Sequence, residues 1–412
     1  MKSLLQLPLA LATLSLSLTA SAGPFSPEEI QNLRSQGPAG LKTALRAFDD
    51  YSRSTATESS VQPTPPQEWR NAIDTVAGQR HAIWSRLYWY DNINDALLAS
   101  QQNGKPVLIL RMLGDLTEEF SCANSRLFRT LLYTDDSVKQ RLRENFTLCW
   151  SSERPVPKVM IDFRDGRTLR TTITGNSAHL LLNPQGRVID GLPGMHTPEA
   201  FANWLDETRK LYLATQKAGR GRDYLTFWHE TRNDEMLASW KNLRAAAAQQ
   251  TKHPTLAAWA TAAPNVDQWR DIPLAWTWLA DWQPNKTPTL FHILKSPEVS
   301  THLVRTLMRK PTAQEAMLRT VSKRAIEDPV LGRLREAQRS TRADTLMNYY
   351  VLTPQVRQII IDNGPLPVEA FTRELYSTVF LTPRNDPWMG FSKDSVFTGL
   401  ENDGRIETAE AQ

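Results

Sequence analysis

The chain has 412 residues, of which 41% are hydrophobic, 22% charged and 8% aromatic, a globular composition that excludes disordered, collagenous and coiled-coil classes. Two cysteines exclude a cystine-rich scaffold, a four-cysteine zinc or iron–sulfur site within one chain and, with no Cys-x-x-Cys-His, a c-type haem. The net charge of +4 comes from 48 basic and 44 acidic residues that form no basic stripe, so nucleic-acid binding is not indicated.

Met1-Lys2-Ser3 is a short positive start, Leu4 to Leu18 is largely apolar, and Ala20-Ser21-Ala22 supplies small residues, which predicts a signal peptide over 1–22 cleaved after Ala22. The apolar run is too short to span a bilayer and contains Gln6 and Pro8, and Ile272 to Trp282, the most apolar later stretch, is shorter still. An exported protein, periplasmic or secreted, with no membrane span after cleavage is expected. Ser26-Pro27-Glu28-Glu29 joins an N-cap serine, a first-turn proline and a capping-box glutamate, and a second helix follows with Leu41, Leu45 and Phe48 on one face. Residues 54–66, rich in Ser, Thr and Pro, read as a linker that closes an N-terminal segment over 23–66.

From 67 to 212 strand-like and helix-like runs alternate, the pattern of an α/β domain. A linker over 213–222 leads to helical periodicity over 223–412, a mainly α-helical C-terminal domain. There Ser296-Pro297, Thr312-x-x-Glu315, Thr341-x-x-Asp344 and Thr353-Pro354 mark helix starts, and Gly364-Pro365 a stop. Eight of the thirteen tryptophans lie between Trp204 and Trp282. They suit either a platform for sugar rings or a core, and Met236, Trp240 and Leu243, at i, i+4 and i+7, favour the core.

Within the α/β segment, a helix over Asn92 to Gln102 ends at Gly104-Lys105, and Val107 to Leu113 reads as a central strand covered on both faces. A helix over Cys122 to Leu132, a second capped by Asp135-Asp136 and a strand over Phe146 to Trp150 complete a crossover whose strands should be parallel neighbours. An added hairpin is expected from Val156 to Phe163 and Thr168 to Ile173, turning at Asp165-Gly166. Leu180-Leu181-Leu182 precedes the turn Asn183-Pro184-Gln185-Gly186, and a closing helix follows over Gly191 to Glu207.

Over about residues 86–210 these pieces resemble the thioredoxin-like superfamily. Cys122-Ala123-Asn124-Ser125, Tyr133, Asp135, Val138, Leu142 and Asn145-Phe146 fall where such proteins carry their Cys-x-x-Cys, an aromatic, an acid, two apolar helix positions and Asn-Phe. Ser125 replaces the second cysteine, and the proline expected before the hairpin is missing from Thr174 to His179, so a two-cysteine redox cycle at this motif is excluded. The resemblance therefore implies an α/β thioredoxin-like domain with a single cysteine at its motif.

Two positions for Cys122 remain open. If its helix begins at Ser121, the helix dipole and Arg126 stabilise a thiolate, the nucleophile of disulfide exchange. If Asp115-x-x-Glu118 caps a helix from 116, along the stripe Leu116, Phe120, Ala123, Leu127 and Leu131, Cys122 lies in its second turn as a buried thiol. The family's sheet would place Cys149 beside the central strand at the carboxyl end, where a native or transient disulfide with Cys122 is one outcome and two free thiols the other. His179 falls near the family's cis-proline position, as a base or thiolate partner or as a satisfied strand histidine. Asn124, Ser125 and Ser177 are candidate donors to a thiolate, or caps and turn residues.

The seven histidines form no metal motif and no phosphate loop occurs, so no cofactor or metal is expected. The leading expectation is single-cysteine thiol–disulfide exchange through Cys122, with protein thiols or disulfides as partners. The alternative is a redox-inactive binding or assembly module of the cell envelope, and a glycan binder using the tryptophans comes third.

Overall fold

The computed structural model describes residues 24–55, 64–173, 175–217, 221–250, 339–390, 399 and 401–404. The expected signal peptide, residues 56–63 of the linker, the helix starts at Ser296 and Thr312, and Trp259, Trp269, Trp276, Trp278 and Trp282 lie outside these residues.

The Ser26 capping box forms as its sequence dictates and starts α1 (Pro27–Ser35). Helix α2 (Pro38–Ser54) buries Leu41, Leu45 and Phe48. This core does not end at residue 66. The amphipathic α3 (Gln67–Ala77) and the short α4 (Ala82–Ser85) add Ile73, Val76, Ala77 and Ile83 to it, so the N-terminal unit runs on past the expected boundary. Trp150 Nε1, donating to the Gly78 carbonyl at 3.1 Å, ties that unit to the sheet.

Asn92 caps α5 (Ile93–Asn103), and Gly104 ends it with the left-handed backbone that glycine tolerates, φ 70°. Strand β1 (Val107–Met112) is buried at every position. Helix α6 (Ala123–Leu127) continues through a π-helical turn, Phe128–Leu132, and α7 (Asp136–Asn145) is capped by Asp135. Strand β2 (Thr147–Ser152) lies parallel to β1, as the crossover requires. The added hairpin forms as β3 (Lys158–Asp162) and β4 (Thr168–Thr172), a separate two-stranded sheet.

Strands β5 (Ala178–Leu182) and β6 (Val188–Pro193) complete a mixed four-stranded sheet in the order β2-β1-β5-β6, with β5 antiparallel to both neighbours. Gly191 therefore stands in a strand opposite Leu180 rather than opening a helix. The closing helix, α8 (Pro198–Thr215), begins later because Thr197 supplies the cap and Pro198 the first turn. It also runs to Thr215, into the expected linker.

Helix α9 (Arg222–Gln250) buries the Met236, Trp240 and Leu243 stripe, so these residues are core. Helix α10 (339–347) is already formed at 339, and Thr341 sits inside it with its carbonyl accepting from Thr345 Oγ1 at 2.7 Å, not at its start. A π-helical turn, Asn348–Leu352, leads directly into α11 (Thr353–Asn363), which Gly364 terminates as expected. Helix α12 (Val368–Glu374) and a further π-helical turn, Leu375–Val379, follow.

The described part of the helical half has no separate core. Tyr350, Val356, Ile360, Phe371 and Leu375 belong to the same buried cluster as β1, β5 and β6. Strand register separates two faces of the sheet. Ile109, Cys149 and Leu180 share one face, where α11 approaches so closely that a Cβ on Gly191 would meet Val356 at 3.0 Å. Leu110, Trp150 and His179 share the other face, and there the His179 ring lies 4.8 Å from Phe128 and 4.7 Å from Phe201 of α8.

Candidate functional site

Cys122 is the N-cap of α6, and its Sγ accepts the Ser125 backbone N–H at 3.4 Å. Of the two expected positions the helix-front one is realised. The helix from 116 does not form: Asp115 accepts the Thr117 N–H at 2.6 Å in a local turn, and Cys122 N–H donates back to the Leu113 carbonyl at the end of β1.

Arg129 explains why the turn wins. Its buried guanidinium donates to the carbonyls of Leu116 at 3.2 Å and Glu118 at 2.9 Å, to Ser121 Oγ at 2.8 Å and to the Ser125 carbonyl at 3.3 Å. Carbonyls that a helix would have satisfied are satisfied by one side chain instead. Burial pulls the Arg129 pKa down to about 10, so it remains cationic at neutral pH. No sequence argument singled it out, although position i+7 from Cys122 and i+4 from Ser125, beside the apolar Phe128, carried the signal.

Arg126, the expected thiolate partner, turns elsewhere: it donates to Thr172 Oγ1 of β4 at 2.8 Å and fastens the hairpin, while Thr172 in turn donates to the Ser121 carbonyl at 3.1 Å. Ser125 does meet Cys122, but its hydroxyl donates to the Cys122 carbonyl at 2.9 Å and contacts Ser121 Oγ at 2.6 Å, so only its backbone faces the sulfur. Asn124 donates to the Gly175 carbonyl, a turn-fixing contact. The buried Ser177 Oγ makes no hydrogen bond among the described residues.

His179 is a core histidine. It is fully buried, its Nε2 lies 2.7 Å from the Tyr133 hydroxyl, and burial, aided by His196, pushes its pKa down to about 3. A neutral imidazole already engaged by Tyr133 is not a poised base for Cys122. Tyr133 is itself kept neutral, first by burial and then by the nearby Cys122.

Cys149 corrects the disulfide expectation. It is the third residue of β2, not a late one, and it shares a face with Ile109, opposite to the face of His179 and Tyr133. Both cysteines are free and buried, and burial pushes the Cys149 thiol up to about 12.

Cys122 itself has 0% exposure. The C-terminal chain closes this end of the sheet. Tyr376, whose fully buried hydroxyl is also held neutral by burial and then by Cys122, donates to the Asn176 carbonyl at 3.0 Å. Asn176 Nδ2 donates to Thr382 Oγ1 at 3.1 Å, and Arg154 donates to the carbonyls of Thr382 at 3.2 Å and Asp386 at 3.0 Å. A charged cluster adds to the closure: Arg111 lies 2.8 Å from Glu153 and 3.0 Å from Glu369, and Arg384 reaches the same two carboxylates.

The arrangement holds a thiol with no exposed surface, its sulfur accepting the Ser125 N–H, which a macromolecular disulfide cannot reach in this conformation. Among the described residues no group of three His, Cys, Asp or Glu side chains is placed to hold a metal ion. The chain matches no family model, no curated protein and no solved structure.

Proposed function

We propose that this protein is a redox-inactive binding or assembly module of the cell envelope, built on a thioredoxin-like domain whose usual reactive end is sealed by its own C-terminal helices. One observation carries the reading: Cys122, at the front of its helix, is wholly buried, near the end of the sheet where Tyr376 and Thr382 both bond to Asn176. The thioredoxin-like assignment is supported by a parallel crossover and an antiparallel hairpin that join in one sheet, with the Cys-x-x-Ser segment following the central strand. Export through residues 1–22 belongs to the same reading, and a mature chain beginning at Gly23 is its expected product.

Reduction of insulin disulfides with dithiothreitol as electron source tests the proposal. Wild type, Cys122→Ser and Cys149→Ser should all leave the rate at that of dithiothreitol alone. An acceleration by wild type that Cys122→Ser abolishes would restore the oxidoreductase reading.

A further inference from the structure

Strands β3 and β4 pair with each other and with no other described strand, and residues 161–170 are exposed without interruption. Register sets Val159 opposite Thr171 and Ile161 opposite Leu169, and the Phe163 N–H continues the ladder to the Arg167 carbonyl at 3.2 Å. Alternation therefore gathers Val159, Ile161, Phe163, Leu169 and Ile173 on one face. Phe163 and Leu169 are 52% and 50% exposed, and Ile161 and Ile173 nearly as much. A two-stranded hairpin alone is marginal in water, and a contiguous apolar face this exposed marks a contact surface.

Charge identifies the partner. Lys158, Arg164, Arg167 and Arg170 outnumber Asp162 and Asp165. Asp165 is committed to Arg167 at 2.6 Å, Lys158 pairs with Glu118 at 3.7 Å, and Asp162 accepts the Arg164 backbone N–H at 2.8 Å. The guanidinium groups of Arg164 and Arg170 make no ion pair among the described residues. Alternation puts Arg170 on the face opposite Ile161 and Leu169, the division into an apolar and a basic side that suits an element lying in a membrane interface. A hairpin exposed on both faces and at its tip also offers no groove for peptide side chains, whereas a planar, apolar, anionic surface satisfies all three features at once.

We propose that the β3–β4 hairpin is a peripheral membrane-binding element, its apolar face entering the bilayer interface while Arg164 and Arg170 engage anionic lipid headgroups. This deepens the binding-module reading by naming its partner, and the two can fail separately, since a reactive Cys122 would leave vesicle binding untouched.

The test is flotation of the naturally processed chain with vesicles of phosphatidylcholine alone or mixed with phosphatidylglycerol. Binding should require phosphatidylglycerol and weaken with salt. Ile161→Ser with Phe163→Ser should abolish it, and Arg164→Gln with Arg170→Gln should lower affinity roughly thirtyfold. Hydrogen exchange on the unaltered chain supplies a reading free of folding effects: phosphatidylglycerol vesicles should protect residues 158–172. Absence of binding, binding indifferent to both hairpin variants, or protection confined elsewhere would overturn the proposal. So would hairpin-dependent dimers, or capture of an acidic peptide, without vesicle binding.

Discussion

Tyr376 donates its hydroxyl to the carbonyl of Asn176 across 200 positions of sequence, joining the C-terminal helices to the loop just before β5. Asn176 directly follows Gly175, to which the Asn124 side chain of α6 is tied, so one short loop bridges the helix of Cys122 and the covering segment. Tyr376→Phe removes one hydrogen bond and should cost about 1 kcal/mol in urea unfolding. Tyr376→Ala removes a fully buried ring, and a loss of about 3–5 kcal/mol is expected, together with faster alkylation of Cys122. An alanine variant as stable and as unreactive as wild type would remove Tyr376 from the seal.

Arg129 should be among the least replaceable residues in the α/β region. Arg129→Met keeps the length of the stem but strands the carbonyls of Leu116 and Glu118 and the hydroxyl of Ser121. A loss of about 3 kcal/mol or more is expected from chemical denaturation, because buried acceptors would be left without donors. Arg129→Lys should recover only part of it, since one ammonium cannot reproduce the planar fork.

His179 makes a pH-dependent contribution whose sign follows from its depressed pKa, about 3 in the folded chain against 6.5 when free. Between those values the unfolded state binds the proton, so the contribution is fully present above about pH 6.5 and is lost as pH falls toward 3. Burial also raises Asp74 and Asp344 to about 6, and these act in the opposite sense, so wild type alone does not isolate the histidine. The stability difference between wild type and His179→Gln should fall by about 1.4 kcal/mol per pH unit below 6.5. A difference constant from pH 7 to 4 would show that His179 is not held neutral.

Glu153 anchors the charged cluster that closes the same end of the sheet. Burial pushes its carboxyl up, but hydrogen bonds from Arg384 and Arg111 outweigh that and hold it below the ordinary range. Its contribution is present at neutral pH and is lost as pH falls through the lowered value. Glu153→Gln leaves the buried Arg111 without its nearest charge, so a loss of about 3 kcal/mol and earlier proteolytic cleavage within 375–390 are expected.

Much of the fold was legible because local chemistry and tertiary structure agree. The Ser26 box, the Asn92 and Asp135 caps, the Gly104 and Gly364 stops and the Asp165-Gly166 hairpin turn all act where their residue types demand. The β6 to α8 boundary lies later than the expected helix start at Gly191, because Thr197-Pro198 is the stronger start signal and Gly191 pairs within β6. The site was harder. Whether a helix begins at 116 or 123 is decided by the inward turn of Arg129, and the end of the sheet near Cys122 is closed by a segment around Tyr376 that is far away in sequence. Arg126 and Arg129 are both basic and close to Cys122 in sequence, and only tertiary contacts reveal which one turns inward. The sheet face of Cys149 depends on register, which a single apolar strand does not fix.

Thiol titration of the native chain with an aromatic disulfide reagent is the most direct measurement. Neither Cys122 nor Cys149 is expected to react while the chain is folded, and both should react when denaturant unfolds it. Rapid, stoichiometric modification of Cys122 in the folded protein would contradict the sealed-site reading.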